Sequence, residues 1–124
     1  MKGYTTLGTN DLERASKFYD DLLSEMGGSR VMENDRMVMW GTGEDKPTVA
    51  LLLPFDGEPA TAGNGSMLGI SCASQGEVDK VHAKALSLGA KDEGAPGERY
   101  EGEYYSYLRD LDGNKICGYT YFTK

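Results

Sequence analysis

The feature that most constrains this chain is that one pattern of elements occurs in it twice. A strand-like segment, "GYTTLGT" (3–9), leads into a helical one, "NDLERASKFYDDLLSEMGG" (10–28), and three short strand segments follow: "SRVME" (29–33), "RMVMWGT" (36–42) and "TVALLLP" (48–54). After a loop, "FDGEPATAGN" (55–64), the order begins again. "GSMLGISC" (65–72) reads as a strand and "SQGEVDKVHAKALSLG" (74–89) as a helix. "AKDEGA" (90–95), "YYSYLRD" (104–110) and "KICGYTYF" (115–122) read as three more strands. Laying Tyr4 on Met67 and Leu7 on Ile70, an offset of half the chain, lays helix on helix. The pattern predicts two copies of a strand–helix–three-strand unit, each too small to bury its own apolar face alone. The whole chain has the length of one domain.

Local signals support the two helices. Asn10 reads as an N-cap with Glu13 three residues on, and Ser74 with Glu77 repeats the arrangement. Leu12, Ala15, Phe18, Leu22 and Met26 fall on one helical face, as do Val78, Val81, Ala85 and Leu88. Gly27 and Gly28 stop the first helix and Gly89 the second. Asn34-Asp35, Gly43-Glu44-Asp45 and Asp112-Gly113 read as turns between strands. "DLDGN" (110–114) has its glycine at the wrong position for a calcium loop and is read as a hairpin turn.

Charge and cysteine content narrow the function classes. A net charge of −7 and a pI near 4.6 argue against nucleic acid, which demands a Lys/Arg surplus, and suit a cationic or neutral ligand better. No apolar run has the length of a signal peptide core or a membrane span. Two cysteines make no disulfide framework. The expectation is a reduced, cytoplasmic protein with no membrane partner.

The order of elements, with "LGTNDLERASKFYDDLL", "FDGEPATAGNGSM", "VDKVHAKALSLGAKDEGAPG" and "YYSYLRDLDGNKI", resembles the glyoxalase/bleomycin-resistance/extradiol-dioxygenase superfamily, the vicinal oxygen chelate proteins. The resemblance implies an α+β fold over residues 1–124. Two βαβββ modules, about 1–58 and about 63–124, would have curved mixed sheets that form a cup. It also implies a homodimer and a small-molecule ligand. Metal-using members of the family carry a His on the first strand, a His on the fifth and a Glu on the last. Here those positions hold Tyr4, Met67 and Cys117. The chain has one histidine, His82, so two imidazoles cannot meet in one subunit. Phenol, thioether and thiol are poor ligands for a hard cation; two sulfurs could suit a soft ion such as Cu(I). No cofactor is expected, a divalent metal being the alternative.

Strand alternation then groups the candidates for the ligand cup. Cys117 and Tyr119 share a face of the last strand, Met67 with Gly69 and Ser71 that of the fifth, and Tyr4 with Thr6 and Gly8 that of the first. Trp40, Phe55, Tyr104, Tyr105 and Tyr107 are further candidates, each equally readable as core or interface. Arg109 shares a parity with Tyr105 and Tyr107, and is an anion ligand or one half of a salt bridge. Cys117 reads as a small buried residue before it reads as a nucleophile. Cys72 reads as core, and His82 as a partly buried, hydrogen-bonded helix residue.

Three functions remain. The first is metal-free binding of a small organic molecule in an aromatic-lined cup. The second is a lactoylglutathione-lyase-like lyase or dioxygenase with a displaced metal site. The third is a non-catalytic interaction module whose aromatics are interface.

Overall fold

The computed structural model describes residues 3–42 and 48–123. The Gly43-Glu44-Asp45 turn lies outside them. Backbone contacts divide the chain into two compact units, Met1–Gly63 and Asn64–Lys124. Each is a βαβββ module, and the fold class is α+β with mixed sheets.

In the first module β1 (Tyr4–Gly8) is followed by α1 (Leu12–Ser24), β2 (Ser29–Glu33), β3 (Met37–Gly41) and β4 (Thr48–Leu52). The sheet runs β1-β4-β3-β2, with β1 parallel to β4 and the other pairs antiparallel. Asp11, not Asn10, caps α1: its carboxylate accepts the Arg14 N–H at 3.0 Å. Asn10 instead clamps the loop after β4. Its side chain donates to the Ala60 carbonyl at 3.2 Å and accepts the Ala60 N–H at 2.7 Å. Ala60 thereby packs on Gly8, where an added Cβ would lie 3.0 Å from the alanine methyl. Ala15, Phe18, Tyr19, Leu22 and Leu23 bury the inner face of α1. Against it lie Val38, Trp40 and Leu51 of the sheet.

In the second module β5 (Leu68–Ser71) is followed by α2 (Gln75–Ser87), β6 (Lys91–Tyr100), β7 (Glu103–Arg109) and β8 (Lys115–Tyr121). The sheet runs β5-β8-β7-β6, again with only the β5–β8 pair parallel. Ser74 caps α2 by accepting the Glu77 N–H, and Glu77 reaches back to the Ala73 N–H, so the capping pair read from the sequence is present. Val78, Val81, His82 and Ala85 are the buried face of α2. Beneath them the sheet offers small side chains. A Cβ on Gly118 would meet Ser106, Cys72 and Val78 at 3.3–3.8 Å. β6 is longer than the segment 90–95 suggested, with register shifts between Asp92 and Gly94, Gly94 and Gly97, and Glu98 and Tyr100. Bulges absorb its glycines and Pro96 without ending the strand.

The β7–β8 hairpin sets the register of this sheet. Buried Asp110 accepts backbone N–H groups from Asp112 and Asn114, each at 2.9 Å, and the Asn114 amide at 3.0 Å. Gly113 takes the positive φ of 86° that the turn requires. Among the described residues no helix is long and apolar enough to cross a membrane.

Candidate functional site

The face of the second sheet turned away from α2 carries a row of tyrosines, and alternation along the register puts them there. Ser106, Leu108, Ile116, Gly118 and Thr120 are buried on the helix side, so Tyr105, Tyr107, Arg109, Lys115, Cys117, Tyr119 and Tyr121 fall on the other. Across the strands Tyr105 pairs with Tyr119, Tyr107 with Cys117, and Gly69 with Cys117. Tyr105 stacks on Tyr107 at 6.1 Å with rings 2° from parallel, and on Tyr119 at 6.0 Å. Tyr121 extends the row at 5.5 Å from Tyr119. Gly69 leaves room for it: a Cβ there would touch the Tyr119 ring at 3.4 Å and the Cys117 Sγ at 3.9 Å.

Charge is graded along this face. At one end the Tyr105 hydroxyl donates to Glu103 at 2.9 Å, and hydrogen bonds with Tyr121 and Glu103 hold its phenol well above the usual range. At the other end Arg99 and Lys115 lie over the Tyr107 ring, 5.8 and 5.3 Å from its centroid. Burial raises the Tyr107 phenol. Cys117 is 2% exposed, and burial lifts its thiol above the ordinary value against the opposing pull of Lys115. That favours an inert thiol over a nucleophile. Arg109, open to two readings from the sequence, is in a salt bridge: Nε donates to Glu93 at 2.6 Å and Nη1 to the Gly113 carbonyl at 3.1 Å.

The other sequence candidates are placed differently. Tyr4 is 63% exposed and Thr6 is also exposed, on the face of the first sheet opposite α1. Trp40 is core. It packs on Tyr19 at 5.9 Å and donates its indole N–H to Asp20 at 2.8 Å. The strand "MVMWG" is apolar on both faces, so parity alone did not assign it. Phe55 is 91% exposed, in the turn after β4, with Arg36 over its ring. Tyr104 faces α2 and donates to Asp79 at 2.7 Å. Met67, expected inside the fifth strand, precedes it and is 50% exposed. Cys72 is buried on the helix side, its thiol raised to about 11 by burial. His82 is buried too, but among the described residues neither ring nitrogen has a hydrogen-bond partner; Asp92 stands 3.4 Å from Nε2. Arg99 and Lys115 were not singled out from the sequence. Lys115 shares the parity of Cys117, whereas Arg99 sits in the irregular β6, where alternation fails.

The model of the Glyoxalase/Bleomycin resistance protein/Dioxygenase superfamily matches residues 3–117. The chain belongs to this superfamily. Among solved structures, a glyoxalase/bleomycin resistance protein from Albidiferax ferrireducens is 38% identical, with 95% of this chain and 96% of that one covered and a TM-score of 0.86. A lactoylglutathione lyase from Agrobacterium tumefaciens is 22% identical over 97% and 92%, with a TM-score of 0.72. Fosfomycin resistance protein FosX from Mesorhizobium loti is 16% identical over 97% and 91%, also at 0.72. The last two show the shared fold. No curated protein matches the sequence.

The resemblance places the family's metal-ligand positions at Tyr4, Met67 and Cys117, and the donors there do not fit a hard divalent cation. They are an exposed phenol, an exposed thioether and a thiol whose ionisation burial disfavours. Among the described residues no three His, Cys, Asp or Glu side chains group as metal ligands.

Proposed function

We propose that this member of the superfamily binds a small organic molecule against the tyrosine face of its second sheet, without a metal at the family's ligand positions. The observation that carries the reading is the row Tyr107–Tyr105–Tyr119–Tyr121, held over Gly69 and Cys117 on the face that α2 leaves uncovered. Aromatic planes with hydroxyl tips give area and orientation to a planar ligand at low conformational cost. The reading is in keeping with neighbours of the same fold that are named as a lactoylglutathione lyase and a fosfomycin resistance protein. The free, buried Cys72 and Cys117 suit a reducing, cytoplasmic setting, and the expected assembly is a homodimer.

A ligand screen read by calorimetry on chelator-treated protein, repeated with Zn²⁺, Ni²⁺, Mn²⁺ or Fe²⁺ added, tests this reading. The expected result is saturable binding unchanged by metal or chelator, and lost in Tyr105→Ala. Tight stoichiometric retention of a divalent ion, with turnover of a hemithioacetal or catechol that a chelator abolishes, would establish the metalloenzyme reading instead. A tyrosine face sealed by a partner protein and closed to every small molecule would establish the interaction module.

A further inference from the structure

We infer that the ligand of this face is a planar, conjugated acid, its ring laid against Tyr105 and Tyr107 and its anionic group held by Arg99 and Lys115. The inference rests on the reading of the tyrosine face as a ligand site and assigns the ligand's chemical class. The chain is strongly acidic overall, which by itself points to a cationic ligand. The local arrangement points the other way.

Two cations stand within 5.8 Å of one ring centroid, and among the described residues neither makes an ion pair. The carboxylates nearby are committed. Glu93 is bound by Arg109, which holds its carboxyl below the usual range, and Glu103 accepts the Tyr105 hydroxyl at the opposite end of the row. Arg99 is also seated. Its Nη2 donates to the Ala95 carbonyl at 2.5 Å, within a cradle left by two glycines. A Cβ on Gly97 would fall 2.6 Å from Arg99 Nη1, and one on Gly94 would fall 3.0 Å from the Tyr107 ring and 3.5 Å from Arg99 Nη2. A side chain at 97 would push the guanidinium off its place and one at 94 would press on the Tyr107 ring, so the absence of both keeps a seated cation beside an aromatic plane. Guanidinium and ammonium together match a carboxylate, and the plane matches the ring that bears it.

Three probes of one shape separate the possibilities: 2-naphthoate, its amide, and 2-naphthylmethylammonium, each titrated calorimetrically at low and high salt. The expected order is carboxylate tightest and ammonium weakest, with the carboxylate alone weakened by salt. The double variant R99Q/K115M should weaken the carboxylate about tenfold and the amide less than about twofold. Gly97→Ala, which keeps the charge and displaces it, should lower carboxylate affinity in the same direction while circular dichroism stays unchanged. If the amide or the ammonium binds as tightly as the carboxylate, or if R99Q/K115M weakens all three equally, the acid assignment is overturned and the ligand face survives. Binding of none of the three, with the fold intact, overturns both.

Discussion

The two modules share one plan and place their clusters of contacting aromatic rings on opposite faces. In the first, Phe18, Tyr19 and Trp40 lie between α1 and its sheet, where Trp40 is almost fully enclosed. In the second, the layer under α2 is made of Val78, Val81, Ala85, Ser106, Cys72 and Gly118, and the tyrosines stand on the far face. A large ring under a helix stabilises through buried area. A ring on the open face leaves that area for something else to cover. The same supersecondary unit thus serves stability in one half and, on the proposed reading, recognition in the other.

The largest effect expected from this difference is on Trp40. Trp40→Ala should cost about 3–5 kcal/mol of folding free energy, from the lost area, the cavity and the lost indole hydrogen bond to Asp20. Tyr119→Ala removes ring contacts on an open face and should cost only about 1–2 kcal/mol while abolishing ligand binding. Urea denaturation at constant m-value, run beside a binding titration, measures both. Equal losses of stability would break the comparison.

Two glycines sharpen it within one module. Gly118→Val forces a side chain against Ser106, Cys72 and Val78 and should destabilise by about 1–3 kcal/mol. Gly69→Val meets the Tyr119 ring and Cys117 instead, and should displace the tyrosine row and weaken binding with a smaller change in stability. Denaturation midpoints and ligand affinity should rank the two variants in opposite order.

The repeated element order was legible because helix periodicity and glycine stops are local signals, and α2 kept even its capping pair. What escaped were choices made by tertiary contacts. Asn10 and Asp11 are both good caps in isolation, and the one whose side chain met Ala60 was taken from the helix. Gly94, Pro96 and Gly97 read as the end of a strand, yet bulges carry β6 through them and bring in Arg99. Tyr119 of β8 was readable by parity because small or aliphatic residues alternate along its strand, whereas Tyr104 beside Tyr105 left the β7 tyrosines open between core and interface. Trp40 was not, since its strand offers no polar residue to mark a face.

A smaller effect concerns acid. Arg30 donates to both oxygens of Asp20, at 2.9 and 2.8 Å, and with the Trp40 bond this holds the Asp20 carboxyl below its ordinary 3.8. A carboxyl with a depressed folded value contributes stability that is fully present above 3.8 and is lost as the pH falls through the folded value. Asp20→Asn keeps an acceptor for Trp40 and removes the charge. Its stability should therefore fall less steeply than the native chain's between about pH 4 and 2. Parallel curves would mean that the Asp20–Arg30 pair contributes nothing, as its partial exposure to solvent could allow.

The smallest predicted effect sets the two modules side by side. Each buries a serine hydroxyl with no hydrogen-bond partner among the described residues, Ser16 in α1 and Ser106 in β7. Removing an unsatisfied buried hydroxyl relieves a desolvation cost and leaves only a small void. In a helix the change to alanine also gains intrinsic propensity of about 0.5 kcal/mol, whereas in a strand it gains none. Ser16→Ala should thus stabilise by about 1 kcal/mol and Ser106→Ala by about half of that or less. Thermal and urea midpoints read the pair together. If Ser106→Ala destabilises, the hydroxyl is satisfied, by a buried water or by a shift of its neighbours, and the thin layer beneath α2 depends on it. If both variants stabilise in the expected order, the cores of the two modules obey the same accounting of buried polar groups, and what separates the modules is the face on which each carries its rings.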